Sequence, residues 1–237
     1  FLGIKISLED GWKTYWKNPG DSGAPLYLEW DSEEYQTINY NIIFPVPRKY
    51  MDMGIETIGY EKEVIFPIKI NFDSSVKDPN RVLKINYLIC KEICIPIEVK
   101  KKINLERDKA VDSLLDEDFR SSLKTVPNKK DKIFRLEKII QHSPSQLDIL
   151  YEVNQKIDNK GLQIYPFSEK LFLKTNHNIS NNSLRINVFS EEEIKKGDVI
   201  ELLISDGHSN QEFKIEINEN IKLHNLFKMI LFAFIGG

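Results

Sequence analysis

The chain has 237 residues, length enough for two domains of about a hundred residues each, and its composition, 41% apolar and 29% charged, is that of a folded soluble protein. With 33 basic and 36 acidic residues the net charge is only −3, and the lysines are scattered through apolar stretches instead of gathered into a stripe with aromatics, which argues against nucleic acid as a partner. The four histidines, His142, His177, His208 and His224, lie far in sequence from the only two cysteines, so no closed zinc site is legible.

The chain starts at Phe1, not Met, and residues 2–8 already read as a strand with Leu2, Ile4, Ile6 and Leu8 in phase; it reads as a fragment, with any signal peptide upstream. Asn18-Pro19-Gly20-Asp21-Ser22-Gly23 is a loop signal. Further strands are predicted at 25–31, 37–44, 64–72, 82–90 and 95–104. Short strands at this spacing indicate an antiparallel sandwich of immunoglobulin-like type, with no helical period to suggest a βαβ fold. From 108 to 123, Val111, Leu114, Leu115, Phe119 and Leu123 recur near helical spacing opposite Asp112, Asp116, Glu117 and Asp118, which predicts one amphipathic helix. Val126-Pro127-Asn128-Lys129-Lys130-Asp131 breaks it and reads as a linker.

A second β-rich stretch follows, with strands predicted at 133–140, 147–153, 162–165, 170–175, 183–189, 199–205 and 211–217. Asn181-Asn182 reads as a tight turn, and Ser205-Asp206-Gly207-His208-Ser209-Asn210 as a hairpin loop. No catalytic constellation is visible in this half, which reads as a second sandwich serving as spacer or docking surface. Residues 226–237 turn strongly apolar; the run is too short to cross a bilayer, which takes about 20 residues, and reads as the start of a truncated transmembrane helix. The expectation is an all-β chain: an immunoglobulin-like domain over 1–105, a helix and linker over 106–130, a second β-sandwich over 131–225, and a transmembrane start at 226–237.

Between two alternating stretches lies Cys90-Lys91-Glu92-Ile93-Cys94. Before it, Leu83, Ile85, Tyr87 and Ile89 form the apolar phase and Cys90 shares the other with Lys84 and Asn86; after it, Ile93, Ile95, Ile97 and Val99 are in phase and Cys94 falls with Pro96, Glu98 and Lys100. Both thiols are therefore expected to face outward at a hairpin tip, where another protein's thiol can reach them. Lys91 favours a thiolate and Glu92 opposes it. The spacing alone admits a redox switch and a structural staple equally, the latter contributing about 2 kcal/mol through the unfolded chain.

Two aromatic-rich segments accompany the pair. One is Gly11-Trp12-Lys13-Thr14-Tyr15-Trp16-Lys17-Asn18-Pro19-Gly20-Asp21-Ser22-Gly23, with Pro25 and Trp30 after it; the other is Phe44-Pro45-Val46-Pro47-Arg48 with Gly59-Tyr60-Glu61-Lys62-Glu63-Val64-Ile65-Phe66-Pro67. In this order and spacing, with the cysteines, they resemble the periplasmic N-terminal region of the DsbD family of thiol:disulfide interchange reductases, nearest the ScsB-like, suppressor-of-copper-sensitivity subgroup. The resemblance implies a dithiol that relays electrons from a membrane reductase domain, fed by cytoplasmic thioredoxin, to periplasmic thioredoxin-fold clients, on the periplasmic side of the bacterial inner membrane and without a bound cofactor. It also implies roles: Cys94 forms the mixed disulfide with partners and Cys90 resolves it. Tyr60, Tyr87 and Pro96 are expected to shape the pocket.

Better-known family members separate the cysteines by five residues and shield them with an aromatic cap loop. Here three residues intervene, and the corresponding stretch, residues 50–57, has no Phe, so Met51 or Met53 is the expected apolar shield. Two rival functions remain open: a binding module with a structural disulfide, and a copper-handling protein holding Cu(I) through Cys90 and Cys94 with Met51 and Met53.

Overall fold

The computed structural model describes residues 2–30, 38–52, 54–71, 80–104, 117–127, 133–155, 157, 161–180, 182–218 and 222–223. They divide into two compact units, Phe1–Val126 and Pro127–Gly237. The expected transmembrane start, and the first part of the expected helix with Val111, Leu114 and Leu115, lie outside the described residues, as do Met53, Asn181 and His224. Among the described residues no helix is long and apolar enough to cross a membrane.

The first unit runs β1 (Leu2–Ser7), β2 (Lys13–Gly20), β3 (Tyr27–Trp30), β4 (Asn39–Ile42), β5 (Arg48–Asp52), β6 (Ile55–Glu61), β7 (Glu63–Asn71), β8 (Asn80–Cys90), β9 (Cys94–Asn104) and α1 (Glu117–Ser122). One sheet orders β1-β7-β4; the other orders β3-β8-β2-β6-β5, with β9 on the second edge of β8. All the pairings between named strands here are antiparallel, and the sheets meet on Trp16, Leu28, Ile58, Phe66, Ile68 and Leu83. This is the immunoglobulin-like arrangement that the alternation predicts.

Two segments differ from the sequence reading. Residues 13–20 were expected to run into a loop at Asn18, yet they form β2. The loop chemistry survives as a bulge, because β2 pairs Tyr15 with Gly59 and next pairs Gly20 with Thr57, looping out the residues between. Gly20 sits at φ +85°, and a Cβ there would lie 2.6 Å from the Glu56 carbonyl oxygen, so the turn signal marks a place only glycine fits. Residues 48–61, expected to hold a cap loop, form the β5–β6 hairpin. The described helix is short; Phe119 is buried and lies so close to Gly3 that a Cβ there would stand 2.7 Å from its ring, whereas Leu123, predicted on the apolar face, is 41% exposed beyond the helix end.

The second unit runs β10 (Phe134–Ser143), β11 (Gln146–Val153), β12 (Gln163–Phe167), β13 (Leu173–Ser180), β14 (Ser183–Ser190), β15 (Val199–Ser205), β16 (Asn210–Glu216) and β17 (Lys222–Leu223). The sheets order β13-β14-β11-β10-β17 and β12-β15-β16. Strict alternation in β11, β14 and β15 sends Leu147, Ile149, Tyr151, Leu184, Ile186, Val188, Ile200, Leu202 and Ile204 into one core. Asn182 takes φ +61° in the β13–β14 turn, and Asp206 Oδ1 accepts from the backbone N–H groups of His208 and Ser209 in the β15–β16 loop, both turns as read from sequence.

Candidate functional site at the β8–β9 hairpin

β8 and β9 pair over their whole length, ending at Cys90 opposite Cys94. The two sulfurs are bonded at 2.08 Å, and the Cα atoms are 4.1 Å apart. Lys91, Glu92 and Ile93 form the exposed tip, where the Lys91 N–H donates to the Ile93 carbonyl at 3.1 Å. The tip is fastened to the β1–β2 turn: Lys91 Nζ donates to the Asp10 carbonyl at 3.3 Å, and its side chain crosses Gly11, whose φ is +83°. Lower down, Thr14 Oγ1 donates to the Leu88 carbonyl at 3.0 Å.

The sulfurs are not equivalent. Cys94 is exposed, as its phase predicts, but Cys90 is only 6% exposed. That corrects the expectation that both face outward. Alternation tells which face a side chain takes, not whether its strand lies inside the sheet; β8 is an inner strand at this point, with Cys94 on one side and Lys13 of β2 on the other. Asn86, in the same phase as Cys90, is likewise buried, while Tyr87 and Ile89 of the nominal core phase are half-buried.

The ladder continues from Cys90 through Lys13 to Glu61 of β6. Lys13 Nζ stands 4.7 Å from the centre of the Tyr50 ring. Burial, with the Glu61 carboxylate next in effect, pushes the Tyr50 phenol up from 10.0 to about 12, against the opposing pull of Arg48 and a backbone hydrogen bond from Glu61. Beside these residues opens a cleft of about 560 Å³ lined by Pro45, Arg48, Tyr50, Tyr60, Glu61 and Thr125, among others. Tyr60 is a buried wall of it: its hydroxyl donates to the Pro45 carbonyl at 2.7 Å and its ring meets Phe66 edge-on at 5.3 Å.

Among the other residues expected at the site, Pro96 is exposed on β9 opposite Leu88, and Tyr87 pairs with Ile97. Met51 is 62% exposed on β5 opposite Glu56, toward the end of β6 away from Glu61, so the register does not bring it level with the disulfide. Gly11 and Lys13 of the first aromatic motif, and Asp10 beside it, carry no sequence signal for the site; the turn in which the Trp12 N–H donates to the Glu9 carbonyl at 3.0 Å brings them to the tip. Among the described residues no group of three His, Cys, Asp or Glu side chains stands together as a metal-binding set.

Chemically, a closed disulfide with one reachable sulfur accepts an incoming thiolate at Cys94 and releases Cys90. The family model for the thiol:disulfide interchange protein DsbD, N-terminal, matches residues 1–106. The first unit carries a DsbD/ScsB-like N-terminal domain. The solved N-terminal periplasmic domain of ScsB from Proteus mirabilis superposes with a TM-score of 0.72, covering 91% of this chain and 86% of that one at 19% identity, a likeness that speaks for the fold. No curated protein sequence matches the chain. The DsbD/ScsB-like domain is thus a thiol:disulfide interchange domain whose cysteine pair is closed as a disulfide.

Proposed function

We propose that this chain is the periplasmic electron outlet of a membrane thiol:disulfide reductase, acting as a protein-disulfide reductase through Cys90 and Cys94. The observation that carries the reading is the asymmetry of the pair, an exposed sulfur joined to a buried one across the end of a hairpin. In the reduced state the Cys94 thiolate attacks one sulfur of a client disulfide, and the client's other sulfur leaves as a thiolate. The Cys90 thiolate then attacks Cys94 Sγ, releasing the client as a dithiol and closing the Cys90–Cys94 disulfide. Two electrons move outward per cycle, and a dithiol of the membrane reductase domain restores the pair. The clients are thioredoxin-fold proteins of the periplasm, and the second β-domain, 131–225, serves as spacer or docking surface. The DsbD-type match over residues 1–106 and the fold of a periplasmic ScsB domain support this setting.

The test is trapping with a thioredoxin-fold disulfide protein. Cys90→Ser should accumulate a mixed disulfide through Cys94, whereas Cys94→Ser should form none. The reduction potential gives the second arm. A value of about −180 to −270 mV with rapid exchange fits a relay, while one below about −300 mV with slow exchange marks a staple and sinks the proposal.

A further inference from the structure

β9 is an edge strand that begins with the reactive sulfur. Among the described residues it pairs with β8 alone, and none of its eleven residues is buried. Which of its backbone groups point outward follows from two observations. Pro96 has no N–H, so it sits in the ladder without loss only where that position faces away from β8. The Cα separation of 4.1 Å at Cys90 and Cys94 fits the narrow, non-hydrogen-bonded kind of antiparallel pair, about 4.5 Å, and not the wide kind of about 5.5 Å. Both place the even-numbered residues outward, so the open edge offers the N–H and C=O groups of Glu98, Lys100 and Lys102 and the carbonyl of Pro96. The odd positions Ile95, Ile97, Val99 and Ile103 are only half-buried, an aliphatic margin that a neighbouring strand would cover.

The charges choose the neighbour. Lys100, Lys101 and Lys102 follow one another, and Lys100 stands directly opposite Lys84 of β8, a like-charge pair that opposes strand pairing. Glu98, 3.5 Å from Lys100, is the one acid along this strand, and Glu29 of β3 faces Lys84 from its other side, so the lysines on the open edge itself keep a net positive charge. A second antiparallel copy of β9 would set Lys100 against Lys100 or against Lys102 in its two central registers, a like-charge contact of the kind that keeps edges from self-association. An acidic strand would relieve the repulsion.

We propose that β9 is the docking edge for redox partners: an extended, acidic segment of the partner adds as an antiparallel strand along Glu98 to Lys102, which brings the partner's cysteine to Cys94. The inference rests on the interchange reading above and names the partner's recognition chemistry.

The test uses two synthetic disulfide peptides that differ only in flank, one with acidic residues six and eight positions before the cysteine, the other with Gln there, and oxidised glutathione as a flankless probe. The reduced protein should exchange with the acidic peptide about tenfold faster than with the Gln peptide at low salt, the gap closing at high salt. Lys100→Glu/Lys102→Glu, which leaves the backbone alone, should erase the preference. Lys100→Pro, which removes one outward N–H, should slow the acidic peptide while leaving glutathione unchanged. Equal rates for both peptides, or a preference untouched by the lysine substitutions, overturn the docking edge. Absence of exchange with glutathione itself overturns the interchange reading instead.

Discussion

Residues 127–237 bury an aliphatic set, Leu147, Ile149, Leu184, Ile186, Ile200, Leu202 and Ile204, and partner the carboxylate they enclose: Asp148 takes His142 Nε2 at 2.9 Å and the Asn187 amide at 2.5 Å. The DsbD/ScsB-like unit also has an apolar centre, but it threads Thr14, Thr57, Arg81, Asn86 and Cys90 through it, and Thr57 Oγ1 and Asn86 Nδ2 find no hydrogen-bond partner among the described residues. A buried donor without a partner costs about 1–3 kcal/mol, which natural folds tolerate sparingly and often near functional sites. Asn86 shares a strand and a phase with Cys90. Both units thus bury polar groups, but in the first the unpartnered Asn86 amide shares a strand with the disulfide, whereas in the second the unpartnered Tyr151 hydroxyl stands in a largely aliphatic core.

That contrast can be broken from either side. The largest effect is expected from Leu202→Ala, which should destabilise the second unit by about 2–5 kcal/mol through lost burial and a cavity. Calorimetry should show its transition falling while exchange at Cys94 keeps its rate. Gly59→Ala should cost the first unit about 3 kcal/mol, because the added Cβ would clash with the Thr14 carbonyl oxygen; here both melting and thiol exchange should suffer. Reducing the disulfide, or Cys90→Ser/Cys94→Ser, should remove about 2 kcal/mol from the first unit alone, the amount a loop this short withholds from the unfolded chain. A larger loss would make the pair more staple than switch.

Tyr151→Phe sharpens the contrast further. The Tyr151 hydroxyl is buried with no hydrogen-bond partner among the described residues, and burial pushes its ionisation far above the ordinary range. Removing it should stabilise the second unit by about 1 kcal/mol in denaturant melts. The smallest effect is alkaline. Asp118 and then Glu63 raise Lys5 from 10.5 to about 12, and burial first raises Tyr50 from 10.0 to about 12. Each folded value lies above the unfolded one, so the stability each brings is whole below about pH 10 and is lost as the pH rises through 12. In an alkaline titration followed by circular dichroism, Asp118→Asn and Tyr50→Phe should flatten this decline in the first unit.

Much of this was legible in advance. The period-two runs located β1, β3, β4, β7, β8 and β9 and, in the second unit, β10 to β16 within a few residues, because a half-buried strand writes its face into alternate positions; β17 carries too few residues to show a period. β2 was missed because Asn18, Pro19 and Gly20 state turn chemistry strongly, and the chain satisfies them inside a bulge. The β5–β6 hairpin was missed because Lys49, Met51 and Asp52 carry no apolar alternation. At the site, the cysteine pair and its hairpin were visible, but the burial of Cys90 was not. Burial there depends on β2 lying beside β8, a pairing far apart in sequence that leaves no local pattern.

The unequal exposure of the two sulfurs also bears on oxidative injury. A peroxide meeting the reduced pair reaches Cys94 first and leaves a sulfenic acid there. Cys90, its cross-strand neighbour, condenses with that group, expelling water and forming the disulfide before sulfinic acid can accumulate. The sheltered thiol thus turns a lesion into the same disulfide that thiol exchange forms, so any reductant able to open that disulfide also repairs the lesion.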